Sequence, residues 1–294
     1  MAAGILADRL VGEPPVRPHP LTVYGRIMRR VERGLYADSR AAGAVHAALG
    51  VALGLVVGGA VRSTAVAAYL TVAGRGLTDE ALRIGAFLEA GELDSARAAL
   101  PALVGRDPTD LDEKDIARAV VESVAENTVD AVVAPALWGL AAGAPGAVGY
   151  RAVNTLDSMV GHRNGRYRRY GWASARLDDL AAWVPARATA ALVMLVRPGA
   201  AAEVWAAVRH DAPAHPSPNA GVAEAAFAAV LGLRLGGTNH YGDHVELRPP
   251  LGQGRPPEPA DIARAVALSR HVTYALVALL TVHGAAGAGR ARSR

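Results

Sequence analysis

The chain has 294 residues, of which 51% are hydrophobic and only 20% charged, with a mean hydropathy of +0.18. Its formal charge of +4 is small and dispersed, which argues against a nucleic-acid partner. The absence of cysteine excludes disulfides, thiol nucleophiles and thiolate metal sites. Aromatic residues make up 5%, so the apolar mass is mainly Ala, Val and Leu, residues suited to close helix packing in water or lipid. Asp8 and Arg9 interrupt the N-terminus before an apolar core forms, so no cleavable signal peptide is expected.

The first 40 residues are polar and proline-rich. Pro14, Pro15, Pro18 and Pro20 make 13–20 an extended or turning segment, which holds His19 in a fixed direction. Arg26, Arg29, Arg30, Arg33 and Arg40 follow on an amphipathic helix. Residues 41–61 form an uncharged run of the length a bilayer-spanning helix needs, and a second apolar stretch ends at Ala73. Residues 78–118 turn acidic with apolar residues at helical spacing, as extramembrane helices joined by a loop near Pro108 would. Apolar runs return at 131–149, 180–196, 220–236 and 272–289, the third carrying Glu224 and Arg234. No strand alternation appears. The expected fold is all-α: a polytopic membrane helical bundle with extramembrane amphipathic helices and loops, forming one domain over 1–294. Basic clusters before the first span, at 163–176 and at 290–294, all belong on the cytoplasmic side. That requires one later apolar run not to cross, and 220–236 is the weakest candidate.

The chemistry-bearing residues concentrate in 122–221. Glu122, Glu126 and Asp130 lie four apart along one helix face, with Ser123 and Asn127 beside them. Acids at that spacing repel unless a metal ion, an amine or arginines sit between them; a solvated helix face is the plain alternative. Asn154 and Asp157 lie about one turn apart, and Gly161 and Gly165 break their helix. Arg163, Arg166, Arg168 and Arg169 surround Tyr167 and Tyr170, as phosphate ligands or as a membrane anchor. Arg176, Asp178 and Asp179 read as the opening of the next helix, where acids either favour the helix dipole or hold Mg²⁺ with nucleotide phosphates. Arg187 sits inside an apolar run, a costly place for charge unless it snorkels. In the proline-rich loop 209–221, Ser217 or Asn219 is expected to cap a helix starting near Ala220, and His215 is a ligand contact or a structural residue. Residues 236–259 read as a long, turn-rich loop over a site. No P-loop, GxGxxG turn, HExxH or GxSxG motif is present.

Three strings, ESVAENTVDAVVAP, NTLDSMVGHRNGRYRRYGWASARLDDLAAWVPAR and HPSPNAGVAEAAFAAVLGLRLGG, closely resemble the integral-membrane adenosylcobinamide-phosphate synthases of the CobD/CbiB type. DRLVGEPPVRPHPLTVYGR looks like that family's opening motif, and the blocks run in family order over nearly the whole chain. The family usually carries a longer apolar segment ahead of the aspartate matching Asp8. Here MAAGILA stands there, which implies a shortened first helix or a start further upstream.

The resemblance implies an ATP- and Mg²⁺-dependent ligase of cobalamin biosynthesis in the cell membrane. It would join adenosylcobyric acid to (R)-1-amino-2-propanol phosphate or a related amino-alcohol phosphate. Glu122, Glu126, Asp130, Asp157 and Arg176 then become catalytic candidates, and Asp178 and Asp179 metal candidates. His19, Asn127, Asn154, Arg163, Arg168, Arg187, His215, Ser217 and Asn219 become substrate or nucleotide ligands. The implied partners are the two substrates, the lipid bilayer, and either a second copy of the chain or other corrinoid-pathway membrane enzymes. A corrinoid transporter or chaperone would use the same groups to bind without reacting. A membrane phosphotransferase would show a DG…AR…D signature, which is absent.

Overall fold

The structure is a computed structural model that describes residues 1–14, 17–162, 164–241 and 244–292. Among the described residues the chain forms helices α1 (Ala2–Val11), α2 (Pro20–Leu35), α3 (Arg40–Ala60), α4 (Thr64–Thr71), α5 (Gly74–Glu89), α6 (Leu93–Ala99), α7 (Glu113–Thr128) and α8 (Ala134–Val160). They continue with α9 (Trp172–Ala181), α10 (Trp183–Val196), α11 (Ala201–His210), α12 (Ala220–Leu231), a hairpin of β1 (Leu235–Tyr241) and β2 (His244–Leu251), and α13 (Pro259–Arg292). The all-α architecture expected from the sequence is present, with the hairpin as an addition. The 236–259 segment, read as a loop, pairs antiparallel with a register shift between Leu235 and Gly237. Its glycines and prolines hide the period-two pattern that announces a strand.

The chain divides into two compact units, Met1–Ala73 with Asp130–Pro185, and Gly74–Val129 with Ala186–Arg294. Four helical stretches are long and apolar enough to cross a membrane: Arg40–Ala60, Glu113–Val160, Trp172–Val196 and Pro259–Ala286. The chain thus has the character of a multi-pass membrane protein. Helix α12 has 12 residues. At ~1.5 Å each they reach only about 18 Å, short of a ~30 Å hydrocarbon core. Four crossings would return the chain to its starting side, the parity that the basic clusters require.

In the first unit, Ser39 caps α3, its Oγ accepting from Ala42 N at 3.1 Å. The inward face of α3 is a stripe of buried glycines: Gly50, Gly54 and Gly58 lie against α8, and Gly43 lies against the backbone of Tyr170. A Cβ on Gly54 would meet the Ala152 Cβ at 2.5 Å, and one on Gly58 would meet the Pro145 Cα at 2.7 Å. Small residues thus let two backbones approach closely. The opposite face of α3 exposes Val45, Leu49, Val56 and Val57, as a lipid-facing surface would. Helix α8 kinks at Ala142 and Gly143, where Gly143 takes φ 66° just before Pro145.

In the second unit α7 is buried on nearly all sides between α5, α12 and α13. Its start is fixed by Asp112, whose side chain accepts from Asp115 N at 2.8 Å. A π-turn over Val129–Val133 follows α7. It breaks the regular four-residue stripe on which Glu122, Glu126 and Asp130 were expected: the two glutamates belong to the second unit and Asp130 to the first. A second correction concerns Asp178 and Asp179. Helix α9 starts at Trp172, so both aspartates lie in its last turns rather than its first, and favourable N-terminal dipole placement does not explain them.

Gly58 and Gly59 give a matched test of the close approach, since a Cβ on Gly59 would meet nothing within 4 Å. Gly58→Val should lower the stability of the detergent-solubilised chain by about 1–3 kcal/mol through overpacking. Gly59→Val should have a much smaller effect. Equal thermal shifts for the two variants would contradict the packing described.

Candidate functional site

The first unit concentrates its internal polar groups where α8 meets α9. The Asp130 carboxylate accepts from the Tyr150 hydroxyl at 3.1 Å and from Asn154 Nδ2, also at 3.1 Å. The same Nδ2 donates to Asp178 Oδ1 at 3.3 Å, so one amide bridges two carboxylates. Arg151 Nη1 donates to Asn154 Oδ1 at 3.1 Å and to the Asp130 carbonyl at 3.4 Å. Tyr150, Arg151 and Asn154 are delivered together because they lie within one turn of α8. Asp157, one turn on, is half-buried and adds negative charge near Asp130. Asp179 is half-buried beside Asp178, whereas Arg176 and Arg168 are exposed. Arg163 lies outside the described residues. His19 is the N-cap of α2, with Nδ1 accepting from Leu21 N at 3.3 Å.

The tyrosine–arginine loop serves a structural contact in part. Arg166 donates to Glu32 at 3.0 Å and stacks over the Tyr36 ring at 4.1 Å, while the Tyr167 hydroxyl donates to Glu32 at 2.9 Å.

The second unit holds a different network. Arg106 Nη2 donates to Glu122 Oε2 at 2.6 Å, with both side chains buried. Gly236 N donates to the other Glu122 oxygen at 2.9 Å, and Arg118 Nη1 donates to the Gly236 carbonyl at 2.6 Å. A charge pair on α7 therefore takes both backbone polar groups of Gly236, whose φ of 86° suits glycine. Arg118 and Arg248 also line a cleft of about 830 Å³ with Asp115, Gly237 and Thr238. Asn127 Nδ2 is spent on Ser123, to O at 3.0 Å and to Oγ at 3.1 Å. Arg187 donates to Asn219 Oδ1 at 3.1 Å. Ser217, not Asn219, supplies the side-chain cap of α12, its Oγ accepting from Asn219 N at 3.3 Å and Ala220 N at 3.1 Å.

His215 is buried, its Nδ1 accepting from Ser217 N at 3.1 Å and its Nε2 lying 3.8 Å from Glu224. Glu224 is fully buried, neither oxygen has a hydrogen-bond partner among the described residues, and Arg248 also stands 3.8 Å away. Burial pushes its carboxyl well above the usual carboxylate range, and Glu122 and Glu126 push the same way against Arg248 and Arg106.

Of the candidates named from the sequence, the structure brings together Asp130, Asn154 and Asp178, and separately Arg187 and Asn219. Sequence reasoning misses Arg106, Arg118, Tyr150, Arg151 and Arg248 as members of these networks. For Arg151 the signal was a charge embedded in an apolar run, and for Arg118 it was the helical spacing to Asp115 and Glu122; the Gly236 that Arg118 and Glu122 both engage lies more than 100 residues away and has no local signal.

A raised carboxyl is bound in its neutral form, so its contribution to stability is lost as pH rises through its folded value. The unfolding temperature of the native chain should therefore fall more steeply than that of Glu224→Gln as pH rises above the ordinary glutamate value of about 4.3. Parallel pH profiles would show that Glu224 is already ionised.

The sequence profile of the family described as "CobD/Cbib protein" matches residues 1–269. The "Cobalamin biosynthesis protein CobD" of Mycobacterium tuberculosis (strain ATCC 25618 / H37Rv) is 47% identical over 292 residues, covering 95% of this chain and 93% of that protein. The protein of the same name from Chromobacterium violaceum is 43% identical, covering 90% and 89%, and that from Rhodobacter capsulatus 42%, covering 86% and 85%. No solved structure matches. With its helices, apolar spans and buried carboxylate network in place, the chain belongs to the CobD/CbiB family of cobalamin biosynthesis.

Proposed function

We propose that the chain is an adenosylcobinamide-phosphate synthase of the cytoplasmic membrane. It joins the free carboxylate of adenosylcobyric acid to the amine of (R)-1-amino-2-propanol phosphate, or a related amino-alcohol phosphate, at the expense of ATP. The observation that carries this reading is the pair Asp130 and Asp178 on one Asn154 amide, set in a family of cobalamin biosynthesis. Charge held inside apolar helices is expensive and is usually kept for function.

A carboxylate is a poor electrophile. Transfer of the ATP γ-phosphoryl group to its oxygen gives an acyl phosphate and ADP. The neutral amine then attacks the carbonyl carbon, the C–O bond to phosphate breaks, and the nitrogen loses a proton as the amide forms. Two carboxylates suit Mg²⁺, which is held by one or two acids together with substrate phosphates rather than by a full protein cage. When bound, Mg²⁺ neutralises phosphate charge. Asp130 and Asp178 are the residues that would hold it, and Asn154 positions both. Among the described residues no larger His, Asp and Glu cluster of metal-binding type occurs. Arg151 counters the charge of the acids. Arg187, Arg176 and Arg168 remain the candidates for phosphate, and Glu126, Asp157 and Asp179 for the ammonium group or its proton. Asn127, Asn154 and Asn219 already spend their amides within the protein, so a direct corrin-amide role for them is less favoured than their sequence positions implied.

The full chain in detergent, supplied with adenosylcobyric acid, aminopropanol phosphate, ATP and Mg²⁺, should form a corrinoid of the amide product's mass. An oxygen-18 label on the substrate carboxylate should appear in released phosphate. Asp178→Asn should lower turnover at least ~100-fold while remaining folded. Corrinoid binding with no product under any amine would sink the ligase reading in favour of a binding protein. Product without label transfer would sink the acyl phosphate alone.

A further inference from the structure

Helix α2 plays no part in the reaction above, yet it carries a dense set of cations. Its buried face is Gly25, Met28 and Glu32, anchored in part by the Met28 carbonyl beside His46 Nε2 at 3.2 Å. Arg26, Arg29, Arg30 and Arg33 recur at helical spacing on the exposed side. Beside them Val23 and Ile27 are exposed as well, at 38% and 42%. These residues and Arg166 line a groove of about 950 Å³. Glu32 is the one acid lining it among the described residues, and Arg166 and Tyr167 already engage that carboxylate. No described carboxylate pairs with Arg26, Arg29, Arg30 or Arg33, so the groove keeps an uncompensated positive charge.

We propose that α2 is an interfacial helix whose arginine stripe binds the phosphate headgroups of anionic phospholipid. Three observations favour a lipid surface over a free phosphate. The arginines run along about 10 Å of helix rather than converging on one point. Exposed apolar side chains lie among them, as on helices that rest at the headgroup boundary. The first candidate span, α3, starts at Arg40, five residues after α2 ends at Leu35, so α2 must run close to the membrane surface. Basic residues near an anionic leaflet act additively, and salt weakens them.

The test uses the full chain purified in a neutral detergent. Dioleoylphosphatidylglycerol should raise its unfolding temperature by several degrees, and dioleoylphosphatidylcholine at the same concentration should not. The triple variant R29Q/R30Q/R33Q should keep the lipid-free unfolding temperature and lose at least tenfold in apparent affinity for phosphatidylglycerol. In 0.5 M NaCl the response of the unaltered chain should disappear, a readout that does not depend on the variant folding. Equal responses to the two lipids, or a response that persists in high salt, would overturn the proposal. So would inorganic phosphate or ATP reproducing the shift, because the groove would then be a soluble-anion site.

Discussion

A buried carboxylate must be met by donors or it destabilises the fold, and in this chain those donors come from other segments of the fold. Glu122 on α7 takes the amide of Gly236 and the guanidinium of Arg106. Asp130 takes Tyr150 and Asn154 from α8, and Glu32 on α2 takes Arg166 and Tyr167. Each pairing does structural work at the point where it forms. The first holds the β-hairpin on α7, the second ties the turn after α7 to α8, and the third docks the tyrosine–arginine loop on α2. Glu224 departs from the pattern. Its oxygens stand 3.8 Å from His215 and Arg248, and among the described residues neither has a hydrogen-bond partner.

The remaining core is built from small residues. The glycine stripe of α3 brings its backbone against α8, and that close contact fixes the helix carrying Tyr150, Arg151 and Asn154. Packing and chemistry are therefore linked along α8. Beyond its kink at Ala142 and Gly143, the stretch of α8 from Ala144 to Leu156 both packs on α3 and carries the polar triplet.

How much of this was legible in the sequence differs from element to element. The span over 41–61, the acidic helices before Pro108 and the amphipathic α2 follow from hydropathy and spacing, because one face of each meets a uniform environment. The family resemblance rested on long strings that local propensity does not explain. Three features lay beyond reach. The hairpin is glycine- and proline-rich, so its pairing depends on α7 rather than on strand propensity. The π-turn at Val129–Val133 inserts an extra residue into a helical repeat, and Pro135, two residues on, is the one local mark of the irregularity. The loop before Trp172 contains helical turns of its own, which moved Asp178 and Asp179 from the start of a helix to its end. For Asp178 the outcome is sharper than the expectation. It does not cap a helix, and it shares a donor with Asp130.

The central claim is that Asn154 holds Asp130 and Asp178 in position for a Mg²⁺-bound phosphate. The most direct measurement is the Mg²⁺ concentration giving half-maximal turnover in Asn154→Ala against the unaltered enzyme. Loss of a group that orients metal ligands typically costs ~10–100-fold in metal affinity. The account predicts a rise of that size, with turnover recovering at high Mg²⁺. An unchanged Mg²⁺ dependence in a folded variant would contradict it.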